Sequence, residues 1–165
     1  MGWTHCYAWS TAAQAKAGIL QEIEADRVLA HGGSGNEFYV ALRGREGRPD
    51  FIAVFLLSQS DGCWGYKDMD ESMQPFYYNV PKKVLKAVPN PPCDSAAKWR
   101  AAVAKAAEDK AAKKAIRPGQ RVELFGTEYT YRGPLPTRPN QWMVETDSGK
   151  AFRIPPSQQR HATLL

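Results

Sequence analysis

A chain of 165 residues with 43% hydrophobic and 24% charged content can bury a core without disulfide or metal staples, and that balance excludes wholesale disorder. The formal charge of +5 is uneven, with −1 on residues 1–90, +3 on 91–116 and +3 on 117–165. No apolar run approaches the roughly 18 residues of a membrane span, no basic segment followed by an apolar run opens the chain, and Cys6, Cys63 and Cys93 are an odd, widely spaced set. Reduced thiols in a cytoplasm, with no membrane contact, are therefore expected.

Trp3 to Trp9 alternates with a period of two and predicts a short strand. Ser10 or Thr11 offers an N-cap to a helix over Ala12–Ala25, with Ile19, Leu20 and Ile23 as its apolar stripe and Gly18 as a weakness. Val28–His31 and Phe38–Leu42 flank a glycine-rich turn and predict a hairpin. The unbroken run Phe51–Leu57 predicts a central strand buried on both faces, and Cys63–Lys67 the last strand of the sheet. Pro81–Val88 reads as a short helix with proline in its first turn, and Ala96 to Ala115, capped by Asp94 or Ser95, as a long one with a stripe at Trp99 and Val103.

From Ile116 the texture changes. A turn entering a strand is expected over Arg117–Phe125, and further strands at Tyr129–Arg132, Gln141–Thr146 and Ala151–Ile154, separated by Gly126, Gly133-Pro134 and Asp147-Ser148-Gly149. A single helical turn at Pro155–Gln159 and a last strand at His161–Leu165 complete the pattern. The expected fold is α+β: a mostly antiparallel sheet with helices over residues 1–92, a long helix over 93–116 docking on it, and an SH3-like small barrel over 117–165.

The densest stretch is Cys63 to Pro81, where five aromatics, three carboxylates, two prolines and two methionines fall within nineteen residues. Trp64, Tyr66, Asp68, Asp70, Glu71, Tyr77 and Tyr78 are the candidate partner-binding residues, because aromatic rings beside carboxylates are typical interface anchors. The competing reading, favoured for most of the rings, is a stiff loop wedged between the sheet and the long helix. Asp68, Asp70 and Glu71 could instead converge on a divalent cation, but no glycine-spaced calcium loop accompanies them. His5, Cys6, His31 and Cys63 lack the close spacing of a zinc site. No catalytic set and no cofactor motif is legible. In the basic C-terminal region, Arg121, Tyr129, Tyr131, Arg132, Trp142 and Arg153 are the candidate nucleic-acid residues, against the alternative that the rings are core.

Met1-Gly2-Trp3-Thr4, Gly65-Tyr66-Lys67-Asp68-Met69-Asp70-Glu71-Ser72-Met73, Lys98-Trp99-Arg100 and Arg117-Pro118-Gly119 together resemble a family of small uncharacterised proteins of phages, prophages and plasmids. The family pattern continues with Gly-Pro, aromatics and Asp-Cys-Pro; here Gln74, Asn79 and Val80 stand in place of the Gly, Asp and Cys. The resemblance implies a mobile element acting in a bacterial host cytoplasm, and supplies no reaction. The first expectation is a non-enzymatic accessory binding protein, a counter-defence inhibitor of a host protein or nucleoprotein complex. The alternatives are a DNA- or RNA-binding protein using the basic barrel and helix, and a metal-dependent enzyme using the 68–71 carboxylates.

Overall fold

The computed structural model describes residues 4–6 and 9–165, with side chains from Trp9 onward. Of the strand expected over Trp3–Trp9, Thr4–Cys6 forms β1, and the flanking residues Trp3, Tyr7 and Ala8 lie outside the described residues. The chain divides into two compact units, one ending at Ala107 and the other Glu108–Leu165. Among the described residues, no helix is long and apolar enough to cross a membrane.

The first unit is built on an antiparallel sheet of β1, β2 (Val28–Gly32), β3 (Glu37–Leu42), β4 (Phe51–Ser60) and β5 (Cys63–Asp70). Its order is β1-β5-β4-β3-β2, so the apolar run in β4 is the central strand, as its lack of alternation requires. Phe38, Val40, Ala53, Phe55, Leu57 and Tyr66 point to one face and meet Ala15 and Ile19 of helix α1 (Ala12–Glu22). Tyr39, Ala41, Ile52 and Val54 point to the other. There they meet Val84 of α2 (Lys82–Ala87), Val88 just beyond it, and Trp99 and Val103 of α3 (Asp94–Ala115). The result is a sheet between two helical layers.

Three residues mark the helix starts, one as expected and two shifted by one position or more. Thr11 caps α1 in a reciprocal box: its Oγ1 accepts from Gln14 N at 3.2 Å, and Gln14 Oε1 accepts from Thr11 N at 3.2 Å. Pro81 precedes α2 as its N-cap rather than standing inside its first turn. The long helix begins at Asp94, so Asp94 sits in its first turn instead of capping it, and an acidic residue there complements the helix dipole. β5 runs three residues past the expected end at Lys67, because Asp68, Met69 and Asp70 still pair with Phe55, Val54 and Ala53.

The second unit is also antiparallel, in the order β10-β6-β7-β8-β9, with the last strand returning beside the first. Its strands are β6 (Arg121–Leu124), β7 (Thr127–Leu135), β8 (Arg138–Glu145), β9 (Ala151–Ile154) and β10 (Thr163–Leu164), with the single turn α4 (Pro156–Gln159) before β10. β9 and β10 are its two edges and do not pair with each other, so the closed barrel expected from the strand spacing is not formed. β10 is only two residues long, too short to carry a closing ladder. Gly133-Pro134, expected as a turn, lies inside β7, where the register shifts at a bulge and Gly133 takes φ 119°. The core of this unit is Ile116, Val122, Leu124, Tyr131, Trp142, Val144 and Ile154.

Gly18 reverses the expectation placed on it. It is buried under the Trp9 indole, and a Cβ there would run into the ring. In an open helix Gly→Ala gains about 1 kcal/mol; here overpacking of about 1–3 kcal/mol opposes it. Gly18→Ala is expected to lower the denaturation midpoint, and a rise in midpoint would show that Trp9 yields freely.

Candidate functional site

The chain between β5 and α2 is a strap fixed from both sides. After Asp70 a single 3-10 turn, Glu71–Met73, ends at Gln74, whose φ of 49° is in the left-handed region. Asp70 Oδ1 caps that turn by accepting from Ser72 N at 2.7 Å. Glu71 turns inward and is completely buried. Its Oε1 accepts from Ile52 N at 2.9 Å and from Arg100 Nη2 at 2.8 Å, and its Oε2 from Arg100 Nε at 2.6 Å. The third arm of the guanidinium, Nη1, donates to Val88 O at the end of α2. One residue earlier, Trp99 Nε1 donates to Pro75 O at 2.8 Å. Adjacent residues on α3 therefore hold the strap once by charge and once by its backbone.

The far end of the strap is held through β3. Asn79 Nδ2 donates to Glu37 Oε1 at 3.1 Å, and the Tyr39 hydroxyl donates to Glu37 Oε2. Burial, and then the Glu37 carboxylate, hold the Tyr39 phenol well above the ordinary tyrosine range.

This arrangement separates the expected partner-binding residues. Trp64 and Tyr66 pack on the α1 face of the sheet, where Tyr66 stacks on Trp9 at 6.1 Å and donates to Glu22 Oε2 at 2.6 Å. Tyr77 and Tyr78 are half-buried against the α2–α3 cluster on the opposite face. The seven residues do not form one patch. Glu71 is corrected from contact residue to buried anchor, Asp70 is turned to its own cap, and Asp68 alone among the three carboxylates is exposed. The carboxylates do not converge, and among the described residues no group of three or more His, Cys, Asp or Glu could hold a metal ion. His31 is on β2, at the edge of the sheet opposite β1, so it does not join His5 and Cys6.

The second unit redistributes its candidates in the same way. Tyr131 and Trp142 are buried against each other at 4.9 Å, and Tyr129 meets Phe152 edge-on at 5.8 Å. These rings are core and not a stacking surface, because alternation along β7 points Tyr129 and Tyr131 inward together. Burial raises the Tyr131 phenol. Arg121 is clasped by Asp147 and Glu128, which raise its pKa, and in return Arg121 lowers that of Asp147. Arg132 pairs with Glu145 at 3.0 Å, while Arg153 is exposed.

Among the described residues, the two most exposed rings are Phe76, one of the five aromatics of the 63–81 stretch, and Phe125, which the sequence did not single out. Phe76 is 86% exposed between the buried Pro75 and the half-buried Tyr77. Phe125 is 67% exposed at a hairpin tip with φ 53°. Five rings in one motif gave no sign of which faces outward, and nothing distinguishes Phe125 in sequence except the glycine after it. No family model, curated protein or solved structure matches the chain.

Removing Arg100 leaves a buried carboxylate without its counter-charge, a loss of about 3–5 kcal/mol. A cycle of Arg100→Met, Glu71→Leu and the double variant in urea is expected to give a coupling of at least about 2 kcal/mol; additive losses would contradict the lock. Tyr39 gives a pH dependence whose sign is fixed. Its folded pKa is raised, so the stabilisation is complete below the ordinary tyrosine value and is lost as pH rises above it. Tyr39→Phe is expected to flatten the alkaline fall in stability, and parallel curves for the two proteins would exclude Tyr39 as its source.

Proposed function

We propose that the chain is a non-enzymatic accessory binding protein of the phage and plasmid type, docking on a host protein or nucleoprotein complex in the bacterial cytoplasm through the strap. The observation that carries this reading is Phe76, an 86% exposed ring on backbone gripped from both sides. A large apolar side chain on a rigid support loses little conformational freedom on binding, which is the property of an interface anchor. Met73, 48% exposed, adds apolar surface on the same strap, and exposed Asp68 adds a negative charge on the strand that leads into it. Counter-defence is the role that best suits the resemblance to mobile-element proteins.

The resemblance also fits the backbone. The family pattern has glycine where Gln74 takes φ 49°, and a glycine reaches that region without steric cost. The second unit is read here as an SH3-like barrel left open at one seam, on the support of its strand order and the single helical turn before β10. It would serve as a further binding module on the same chain.

Affinity capture from lysates of candidate bacterial hosts tests the docking surface. Wild type is expected to retain one stoichiometric partner, and Phe76→Ala to lose it by about thirtyfold or more with an unchanged melting temperature, since an anchor ring contributes about 2 kcal/mol or more. Equal capture by both proteins would move the interface elsewhere.

A further inference from the structure

The β6–β7 hairpin closes on a two-residue loop, Phe125-Gly126, between the paired residues Leu124 and Thr127. Both loop residues have positive φ, 53° and 76°, the requirement of a type I′ turn. Asn, Asp or Gly meets that requirement at the first position at little cost, whereas a bulky aromatic there is strained. The strained ring is not compensated by burial, since it is 67% exposed. Its neighbour is the exposed His161 imidazole, with ring centroids 4.9 Å apart and planes tilted by 43°. Strain kept at an exposed position, with one exposed ring as its contact and no burial in return, points to use.

The surroundings define the use. His161 also lines a cleft of about 410 Å³ together with Lys113, Ile116, Arg160 and Thr163. Lys113 Nζ donates to Arg160 O at 3.0 Å, and Arg160 Nε donates to His161 Nε2 at 3.1 Å, so the two cations and the ring form one chain of contacts. Asp109 is the acidic residue in the cleft. The unit as a whole carries ten Lys and Arg against six Asp and Glu. Arg121 and Arg132 are occupied by carboxylates, but neither Lys113 nor Arg160 is in an ion pair among the described residues. Exposed rings beside cations are the pattern that holds a base by its face and a phosphate by charge.

We propose that Phe125 and His161 form a stacking platform for a base of single-stranded nucleic acid, with Lys113 and Arg160 binding the adjoining phosphates. The site is distinct from the strap and from the buried Tyr131–Trp142 pair. A base stacked on the hairpin tip needs no partner strand, and stacking on a π-face is tolerant of sequence. A duplex hides its base faces, so it engages the cations alone.

Fluorescence anisotropy with labelled oligothymidylate, oligouridylate and a blunt DNA duplex tests this on the full chain. Binding to at least one single strand is expected at about 50 mM salt, falling steeply as salt rises; the tighter of the two strands identifies DNA or RNA as the ligand. Phe125→Asn suits the turn better than the native residue, so it is expected to melt no lower than wild type while binding about tenfold more weakly. Phe125→Leu keeps the bulk without the π-face and is expected to lose the same affinity. Lys113→Gln and Arg160→Gln should each reduce the log–log salt slope by about 0.7. No anisotropy change with either single strand would overturn the proposal. So would a duplex bound as tightly as the single strands, or a folded Phe125→Asn with undiminished affinity.

Discussion

A carboxylate with no solvent exposure survives in a fold only where its charge and its lone pairs are matched at once. Glu71 meets both conditions, with a two-armed contact from Arg100 and a backbone N–H from Ile52. The groups it joins come from four places: the end of β5, the start of β4, the second turn of α3 and, through the third arm of Arg100, the end of α2. Replacing such a pair by apolar residues is often neutral for stability, so its value here is geometric. A guanidinium has one orientation that serves both oxygens and the Val88 carbonyl. That orientation fixes where α3 crosses the sheet, and with it where Trp99 meets the strap.

Everything displayed by the first unit follows from this. Pro75 is buried because Trp99 holds its carbonyl, and Tyr77 and Tyr78 lean on the α2–α3 side because the strap is already committed to that face. Phe76, between them, faces outward by exclusion. The apolar surface of the strap is thus concentrated in one ring and one methionine rather than spread over five aromatics. In the second unit the division runs the same way: inward-facing rings build the core, salt bridges absorb two arginines, and the exposed aromatic sits at a turn.

The elements were legible where a period or a cap spoke for them. The uninterrupted apolar run of β4 announced a strand covered on both sides, and Thr11 with Gln14 announced a helix start. Strand ends were less so: Asp68 and Asp70 read as loop residues, yet their backbones continue the ladder with β4 while their side chains project to the α1 face. The site was legible as a segment but not as residues. Glu71 looked like its neighbouring carboxylates, since nothing local reveals that Arg100, twenty-nine positions on, will take it inside. Likewise Gly18 read as a helix weakness because the Trp9 ring above it arrives through tertiary packing. Phe125 carried no period at all, since its role is set by the φ of a turn.

The lock also constrains the order of events as the chain is made. The strap is synthesised well before the residues that hold it: Pro75 precedes Trp99, and Glu71 precedes Arg100. During translation, β2 to β5 can pair as soon as they emerge, because consecutive hairpin strands supply one another's partners. Glu71 cannot enter the interior at that stage without stranding its charge. Until Trp99 and Arg100 have been made, the chain holds neither the counter-charge for Glu71 nor the α3 side chains that complete the cover of that face.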